Sequence, residues 1–181
     1  MARITIPPRD DAPVAAQAHL DAVAAKLGRV PNFFRVLATS PAVLAGYSGL
    51  ADGLARTLDL RTRERIALAV AEVNGCDYCL AAHGYTSLNF AHLSPDEIAQ
   101  ARQGTASNAK AAAAARFARQ IALERGKVGD ADIAVVREAG FSDAQIVEIV
   151  AVVAENFLTN LVNNVIGTDI DFPAISDAQA A

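Results

Sequence analysis

Two cysteines and a histidine stand close together near the middle of the chain. Residues 74–83 read NGCDYCLAAH and contain both cysteines of the protein. Asn74-Gly75 interrupts an apolar run, so we expect a helix to begin near Cys76. Spacings of three and four residues place side chains on one helix face, so the two sulfurs can meet and His83 can reach Cys79. The pattern indicates a dithiol site.

The chemistry open to this site follows from the thiolate, which is the reactive form of cysteine. A helix N-terminus lowers the thiol pKa of Cys76, and a neighbouring imidazole lowers that of Cys79. One cysteine can attack a peroxide oxygen and become a sulfenic acid, and the other can resolve it as a disulfide. Such a cycle needs an external dithiol reductant. The alternative is a pair of inert buried cysteines.

A metal site is the less favoured interpretation of the same residues. Cys76, Cys79 and His83 supply three ligands, whereas structural zinc almost always takes four. The other histidines, His19 and His92, are far away in sequence, and no second C-x-x-C is present. We therefore expect neither a metal nor another bound cofactor.

Proton transfer to and from a thiol and a leaving hydroxide calls for an acid–base partner, and two glutamates are candidates. Glu72 lies one turn before Cys76, but the Asn-Gly break hides its orientation. Glu64 lies near the first turn of the preceding helix, where an acidic residue is stabilised in any case. Tyr78, between the cysteines, is expected to be half-buried with its hydroxyl near the sulfurs, or to serve packing alone.

A row of asparagines is the remaining polar pattern. Asn156, Asn160 and Asn163 recur on one face of the longest predicted helix. They can line a site or join helices by hydrogen bonds, and the second role is favoured because buried amides need partners.

The elements that must position these residues are predicted to be helices. Apolar periodicity, Ser or Asn caps, first-turn prolines and closing glycines mark them, and no segment alternates like a strand. A short segment at 33–38 is left unassigned. The sequence predicts an all-α fold of about eight helices, at 13–27, 41–58, 61–73, 76–90, 95–103, 108–125, 130–139 and 143–166.

Two of these helices, 61–73 and 76–90, form a hairpin that carries the C-x-x-C. The helix at 143–166 is apolar around most of its circumference, so we expect it to be central or at an interface.

The whole chain fits one domain, residues 1–181, because 52% of its 181 residues are hydrophobic. We interpret residues 1–12 as an arm that lies across a neighbouring subunit, residues 61–100 as the C-x-x-C core and residues 168–181 as an irregular tail.

Charge and hydropathy limit the kinds of partner and the cellular compartment that we expect for this protein. The 16 basic and 20 acidic side chains give a net charge of −4, which argues against binding nucleic acid or anionic membranes. No uninterrupted apolar stretch reaches the ~20 residues that span a bilayer. The first residues lack a signal peptide's apolar segment. We expect a cytoplasmic protein, and a C-x-x-C in a reducing compartment is more often redox-active or metal-binding than structural.

One spaced pattern of residues resembles the AhpD-like alkylhydroperoxidase branch of the carboxymuconolactone decarboxylase family. It consists of Glu64, eleven residues, Cys76-Asp77-Tyr78-Cys79, three residues and His83. The segments VPNFF at 30–34 and DIDFP at 169–173 are similar to the longer peroxidase-related members. The resemblance implies an all-α fold, assembly as a homo-oligomer (a trimer or a hexamer) and an antioxidant thiol peroxidase activity.

By this resemblance, Cys79 is the peroxidatic cysteine, Cys76 the resolving cysteine, and His83 with Glu64 the proton relay. The substrate would be hydrogen peroxide or an alkyl hydroperoxide, and the reductant a dithiol or a lipoyl-type group on a partner protein. The best-known members carry a second histidine where this chain has Tyr78. A phenol with a pKa near ~10 cannot replace an imidazole as a base at neutral pH.

Two other functions remain alternatives. One is a decarboxylase or lactone-processing enzyme, like the family's name-giving member, although that branch generally lacks the C-x-x-C. The other is a dithiol redox sensor or metal-binding scaffold without catalysis, whose oxidation alters a partner contact.

Overall fold

Helices make up the regular structure of residues 2–173, the part of the chain that this computed structural model describes. No strand occurs in that range, so the predicted all-α fold is confirmed. A 3-10 turn at Arg9–Asp11 precedes α1 (Val14–Leu27), α2 (Asn32–Ala38), α3 (Pro41–Leu54), α4 (Leu60–Val73), α5 (Asp77–Asn89), α6 (Pro95–Arg102), α7 (Ala109–Glu124), α8 (Asp130–Glu138) and α9 (Asp143–Ile166).

Local signals explain most of the helix ends. Ser94 and Ser142 each form a capping box, with Glu97 and Gln145 as the reciprocal partners, and these boxes start α6 and α9. One element and one helix end differ from the prediction. The short segment at 33–38 belongs to the helix α2, and α3 ends at Leu54, where the Thr57 hydroxyl donates to the Leu54 carbonyl.

The centre of the fold is α4, which contacts α5, α6, α7 and α9. Its residues from Glu64 to Ala71 are all buried. One side of α4 packs into a large apolar cluster with α7 and α9, represented by Ile66, Phe117 and Ile149. A second cluster lies under α1, α2 and α3 and contains both cysteines. The C-x-x-C is therefore part of a packed core.

The turn between α4 and α5 makes the predicted hairpin. Gly75 has φ +58°, a backbone conformation that glycine adopts without strain. The Cys76 N–H then donates to the Ala71 carbonyl, 3.0 Å away. The chain thus reverses within two residues, and Cys76 is delivered to the first turn of α5.

The N-terminal arm lies against its own chain. Arg3 donates to the carbonyls of Asn164 and Val165 at the end of α9, and Arg9 pairs with Asp21 on α1. The arm therefore holds α9 and α1 together within one chain. The predicted irregular tail is observed as far as Pro173, and its remainder lies outside the described residues.

The long helix α9 has the length and composition of a membrane span, with a mean hydropathy of 1.4 in its most apolar window. One such helix is weak evidence, because the core helix of a folded protein has the same features. Residues on one side of α9, including Ile149, Val152 and Val153, are buried in the apolar cluster around α4. This packing is that of a core helix. The cytoplasmic location stays a prediction.

Candidate active site

The two cysteines meet at the start of α5. Cys76 is the N-cap residue, and its sulfur accepts the Cys79 N–H at 3.3 Å. Their Cα atoms are 5.3 Å apart and a disulfide joins the sulfurs. The exposed fractions are 0% for Cys76 and 2% for Cys79. The chain thus holds the pair in the first turn of a helix, where the macrodipole stabilises a negative sulfur.

A cavity of about 210 Å³ opens beside Cys79. Cys79, His83 and Glu64 contribute to its wall, whereas Cys76 does not. Of the two sulfurs, that of Cys79 is therefore the one a molecule in the cavity can reach.

The imidazole of His83 and the carboxylate of Glu64 form a pair across the α4–α5 hairpin. His83 Nδ1 and Glu64 Oε2 are 3.0 Å apart, and the Ser87 hydroxyl lies 3.5 Å from the same oxygen. Burial of the imidazole opposes its protonation, but the charge and hydrogen bond of Glu64 outweigh burial and raise the pKa of His83. The pair can therefore supply a proton near neutral pH.

The asparagines in the row on α9 differ in role: one lines the site, and another joins two helices. Asn163 Nδ2 donates to the sulfur of Cys79 at 3.4 Å. Asn160 Oδ1 accepts from Asn74 Nδ2 at 2.9 Å and joins α9 to the hairpin turn. Asn156 bonds back to the Val152 carbonyl of its own helix. Asn163 is thus a site residue, and Asn160 has the interhelical role.

Tyr78 is buried, with 5% of its surface exposed, and its hydroxyl has partners other than the sulfurs. It accepts the Phe33 N–H at 3.0 Å and donates to Asp171 at 2.9 Å. Burial raises its pKa well above the usual value for a phenol. The expectation of a half-buried hydroxyl near the sulfurs is therefore wrong. The hydroxyl bonds to other groups because α2 and the tail pack over this face of α5.

Glu72 is turned towards α6, away from the cavity beside Cys79. Its carboxylate accepts from Arg102 Nε at 2.7 Å, and it is not among the residues that line that cavity. Of the two candidate glutamates, the structure brings Glu64 to the imidazole and gives Glu72 a partly buried ion pair with Arg102.

Aromatic rings form much of the cavity wall, and sequence reasoning did not assign them to the site. They come from α2, α3, α5, the residue that follows α5, and the tail, and they are Phe33, Phe34, Tyr47, Tyr85, Phe90 and Phe172. The segments VPNFF and DIDFP contain three of these rings, so the signal was present in the sequence. What it lacked was any indication that the two segments meet.

The tail segment 168–173, here called the tail strap, closes one side of the cavity. Asp171 accepts from the Asn32 N–H at 3.0 Å and from Arg29 at 3.1 Å, besides its bond from Tyr78. The Phe172 ring lies 5.7 Å from the Tyr78 ring, with the Arg29 guanidinium over its face at 4.5 Å. The strap thereby fixes an aromatic wall above Cys79.

A second acidic residue, Glu155, also lies near the imidazole. Together with Tyr47 and Arg63 it lines a second cavity of about 190 Å³, to which Glu64 and His83 also contribute. Burial raises the pKa of both Glu155 and Tyr47. Sequence analysis missed Glu155, although it is the only charged residue between positions 149 and 166 of an apolar helix.

Taken together, the site offers a dithiol that can open and close beside an acid–base pair, within an apolar cavity. Within residues 2–173, no group of three or more His, Cys, Asp or Glu side chains is arranged to hold a metal ion.

Comparison with known proteins finds a family model that is similar to the part of the chain containing the site residues. Residues 41–124 match the model of the Carboxymuconolactone decarboxylase family. This region spans α3 to α7 and contains Glu64, Cys76, Cys79 and His83. None of the curated proteins compared with the chain matches it.

Solved structures similar to this one extend the comparison to nearly the whole chain. An uncharacterized peroxidase-related protein from Ralstonia eutropha JMP134, an alkylhydroperoxidase AhpD core, is 28% identical, with a TM-score of 0.85 over 94% of this chain and 92% of its own. An uncharacterized peroxidase-related protein from Silicibacter sp. TM1040 is 25% identical, with a TM-score of 0.82 over 93% and 91% of the two chains. The debrominase Bmp8, at 19% identity and a TM-score of 0.79 over 97% and 95%, shares the fold.

Proposed function

We propose that the chain is a thiol-dependent peroxidase of the carboxymuconolactone decarboxylase family, because residues 41–124 match the model of that family and the chain has the AhpD-like fold. Its substrate would be hydrogen peroxide or an alkyl hydroperoxide, reduced by the pair Cys76 and Cys79. One observation supports this proposal above the others. Cys79, and not Cys76, contributes to the cavity that also contains the His83–Glu64 pair.

In the first step, the Cys79 thiolate attacks the terminal oxygen of the peroxide. A sulfur–oxygen bond forms, the oxygen–oxygen bond breaks, and Cys79 becomes a sulfenic acid. The leaving alkoxide or hydroxide takes a proton from the imidazolium of His83. The raised pKa of His83 favours the imidazolium, and the Asn163 amide is placed to donate to a negative sulfur.

In the second step, the Cys76 thiol attacks the sulfur of Cys79. The sulfur–sulfur bond forms and water leaves, with its proton supplied by the Cys76 thiol. The two cysteines share the first turn of α5, so the step needs no movement of a domain. A dithiol or lipoyl-type reductant then restores both thiols by exchange and becomes a disulfide itself. No bound cofactor takes part in this scheme.

Tyr78 takes no part in proton transfer in this mechanism. Its hydroxyl is held by Phe33 and Asp171, and its pKa is raised by burial. Proton transfer therefore rests on His83 and Glu64, the relay inferred from the family resemblance.

The test is peroxide consumption with a dithiol reductant in excess. We expect the wild type to turn over, Cys79→Ser to be inactive, and Cys76→Ser to accumulate a sulfenic acid on Cys79 that a dimedone-type reagent traps. The two variants are matched controls, since each removes one sulfur from the same turn of α5.

Two outcomes would replace the proposal. If the wild type is oxidised once and does not cycle with any dithiol, the site is a redox sensor. If Cys79→Ser keeps the wild-type activity on a lactone or a β-keto acid, the chain is a decarboxylase or lactone-processing enzyme.

A further inference from the structure

A second cavity adjoins the His83–Glu64 pair, and the proposed mechanism does not use it. It shares Tyr47, Glu64, His83 and Thr159 with the cavity beside Cys79. Neither cysteine lines it. At about 190 Å³ it is large enough to hold several water molecules. The imidazole of His83 therefore borders two cavities, one lined by Cys79 and one that neither cysteine lines.

The acidic residue in this second cavity is Glu155, from α9. The titratable and charged groups that face it come from three other helices: Tyr47 from α3, Arg63 and Glu64 from α4, and His83 from α5. Among the described residues, Glu155 forms no direct ion pair. The Nε of Arg63 is buried without a hydrogen-bond partner. Glu155 is thus not locked into a structural ion pair.

The electrostatics of this group favour a mobile proton. Burial raises the pKa of Glu155, the positive charges of His83 and Arg63 oppose that rise, and Glu64 adds to it. The carboxylates of Glu64 and Glu155 repel each other when both are ionised. The cluster that they form with His83 therefore binds a proton more readily than a single carboxylate would. Glu155 also contributes to the raised pKa of His83.

We propose that Glu155 is a positioning residue that reprotonates the His83–Glu64 pair from the second cavity after each turnover. When His83 gives its proton to the leaving oxygen, the Glu155 carboxylic acid replaces that proton, through water in the second cavity. The Glu155 carboxylate then regains a proton from solvent. This role rests on the proposed peroxidase function, in which His83 is the proton donor.

The test is Glu155→Gln, which removes the charge and the exchangeable proton while keeping the size of the side chain. On the alkaline side Glu155 is ionised, and its negative charge helps to keep the pKa of His83 raised. Without that charge the pKa of His83 falls, so the imidazolium is lost at lower pH. We expect the alkaline limb of the profile of kcat against pH to move to lower pH, with about a three- to tenfold loss of kcat on that limb and little change in acid. The pKa of His83, followed by NMR, should fall as well.

Two further variants separate this role from a structural one. Glu148→Gln removes a carboxylate from the same helix two turns earlier, at a position that lines neither cavity, and should leave the profile unchanged. Glu155→Asp restores a carboxylic acid and should recover part of the alkaline limb. A Glu155→Gln protein with an unchanged profile and an unchanged His83 titration would overturn the proposal, whatever its thermal stability.

The NMR titration does not depend on turnover. If the wild type consumes no peroxide, the proposed function fails, and the titration of His83 in wild type and Glu155→Gln still measures the coupling of the two groups. If the wild type turns over and the titration shows no coupling, this inference alone fails.

Discussion

The sulfur of Cys79 has a hydrogen-bond donor that lies 84 positions further along the chain. Asn163 Nδ2 is 3.4 Å from this sulfur, and Asn163 is buried at 4% exposure. A buried amide that faces sulfur stabilises a thiolate more than a thiol, because hydrogen bonds to charged groups are the stronger ones. In the reduced protein, we therefore expect Asn163 to favour the thiolate form of Cys79.

Replacing Asn163 by alanine should raise the pKa of the Cys79 thiol in the reduced protein. A hydrogen bond to a charged group contributes ~1.5 to 3 kcal/mol, so thiolate at neutral pH should fall by about tenfold or more. The measurement is the ultraviolet absorbance of the thiolate against pH, in a Cys76→Ser background so that one thiol titrates.

The control is Asn164→Ala, which changes the next residue of the same helix. Asn164 donates to the Asn74 carbonyl, and its loss should leave the titration of Cys79 in place. If the Cys79 thiol has the same pKa in Cys76→Ser with and without Asn163→Ala, the amide of Asn163 does not act on the thiolate.

Spacing revealed Cys76, Cys79 and His83 because they belong to one turn-and-helix segment whose geometry is local. It could not place Asn163 or Glu155, since their relation to the sulfur depends on how α9 docks against α5. The direction of the Tyr78 hydroxyl was also out of reach, because its partners belong to α2 and the tail. Residues that reach the site from another helix are the ones that sequence periodicity leaves ambiguous.

The tail strap is an element without regular structure, held by side chains rather than by a helix. Asp171 receives hydrogen bonds from Tyr78, Asn32 and Arg29, so one carboxylate ties the strap to α5, to α2 and to the segment before α2. Phe172 is thereby kept against Tyr78 and Tyr85. The strap thereby forms one wall of the cavity beside Cys79.

Replacing Asp171 by alanine should loosen the strap. The Asn32 N–H loses its acceptor and the Tyr78 hydroxyl loses one of its two partners, which costs ~1 to 3 kcal/mol of unfolding free energy. In the reduced protein, alkylation of Cys79 by iodoacetamide should become several-fold faster. Thermal unfolding and mass spectrometry of the labelled protein measure the two effects.

Ile170→Ala is the matched control, since Ile170 lies in the same segment and is 50% exposed. It should change neither the unfolding free energy nor the labelling rate by a comparable amount. Equal labelling in Asp171→Ala and the wild type would mean that the strap does not limit access to the sulfur.

Most elements were predictable because their ends carry chemical signals of their own. Ser94 with Pro95 at the start of α6, and Ser142 before α9, are such signals, and the helices begin where these residues place them. The helix α2 was not assigned, because seven residues show too little periodicity to be distinguished from a turn. The end of α3 at Leu54 was not predicted, because no glycine or proline among residues 55–58 marks it.

In the whole molecule, the outer face of α9 remains apolar. Its large exposed side chains recur at helical spacing and run the length of the helix: Val147, Val150, Leu158, Leu161 and Val165, at 38–67% exposure. Towards the end of α9 the face continues onto Val43 of α3 and Ile4 of the arm, which line a shallow groove with Leu161 and Val165. A contiguous apolar surface of this kind is typical of a protein–protein interface.

We propose that this face joins copies of the chain into the homo-oligomer, a trimer or a hexamer, that the family resemblance implies. Leu161→Glu would place an unpaired charge in the contact, at a cost of ~3 to 5 kcal/mol for each buried carboxylate. Association should then weaken by more than about a hundredfold. Sedimentation velocity at several protein concentrations should show the wild type as an oligomer and the variant as a monomer.

Val135→Glu, on α8, changes an exposed valine outside this face and should leave the assembly intact. A wild type that sediments as a monomer at high concentration would contradict the proposed assembly.

Because the arm bonds to the end of α9, and α9 supplies Asn163 to the site, dissociation should also affect the chemistry. We expect Leu161→Glu to lower peroxide turnover severalfold while both cysteines still form their disulfide. Full activity in a monomeric variant would mean that one chain holds the site unaided.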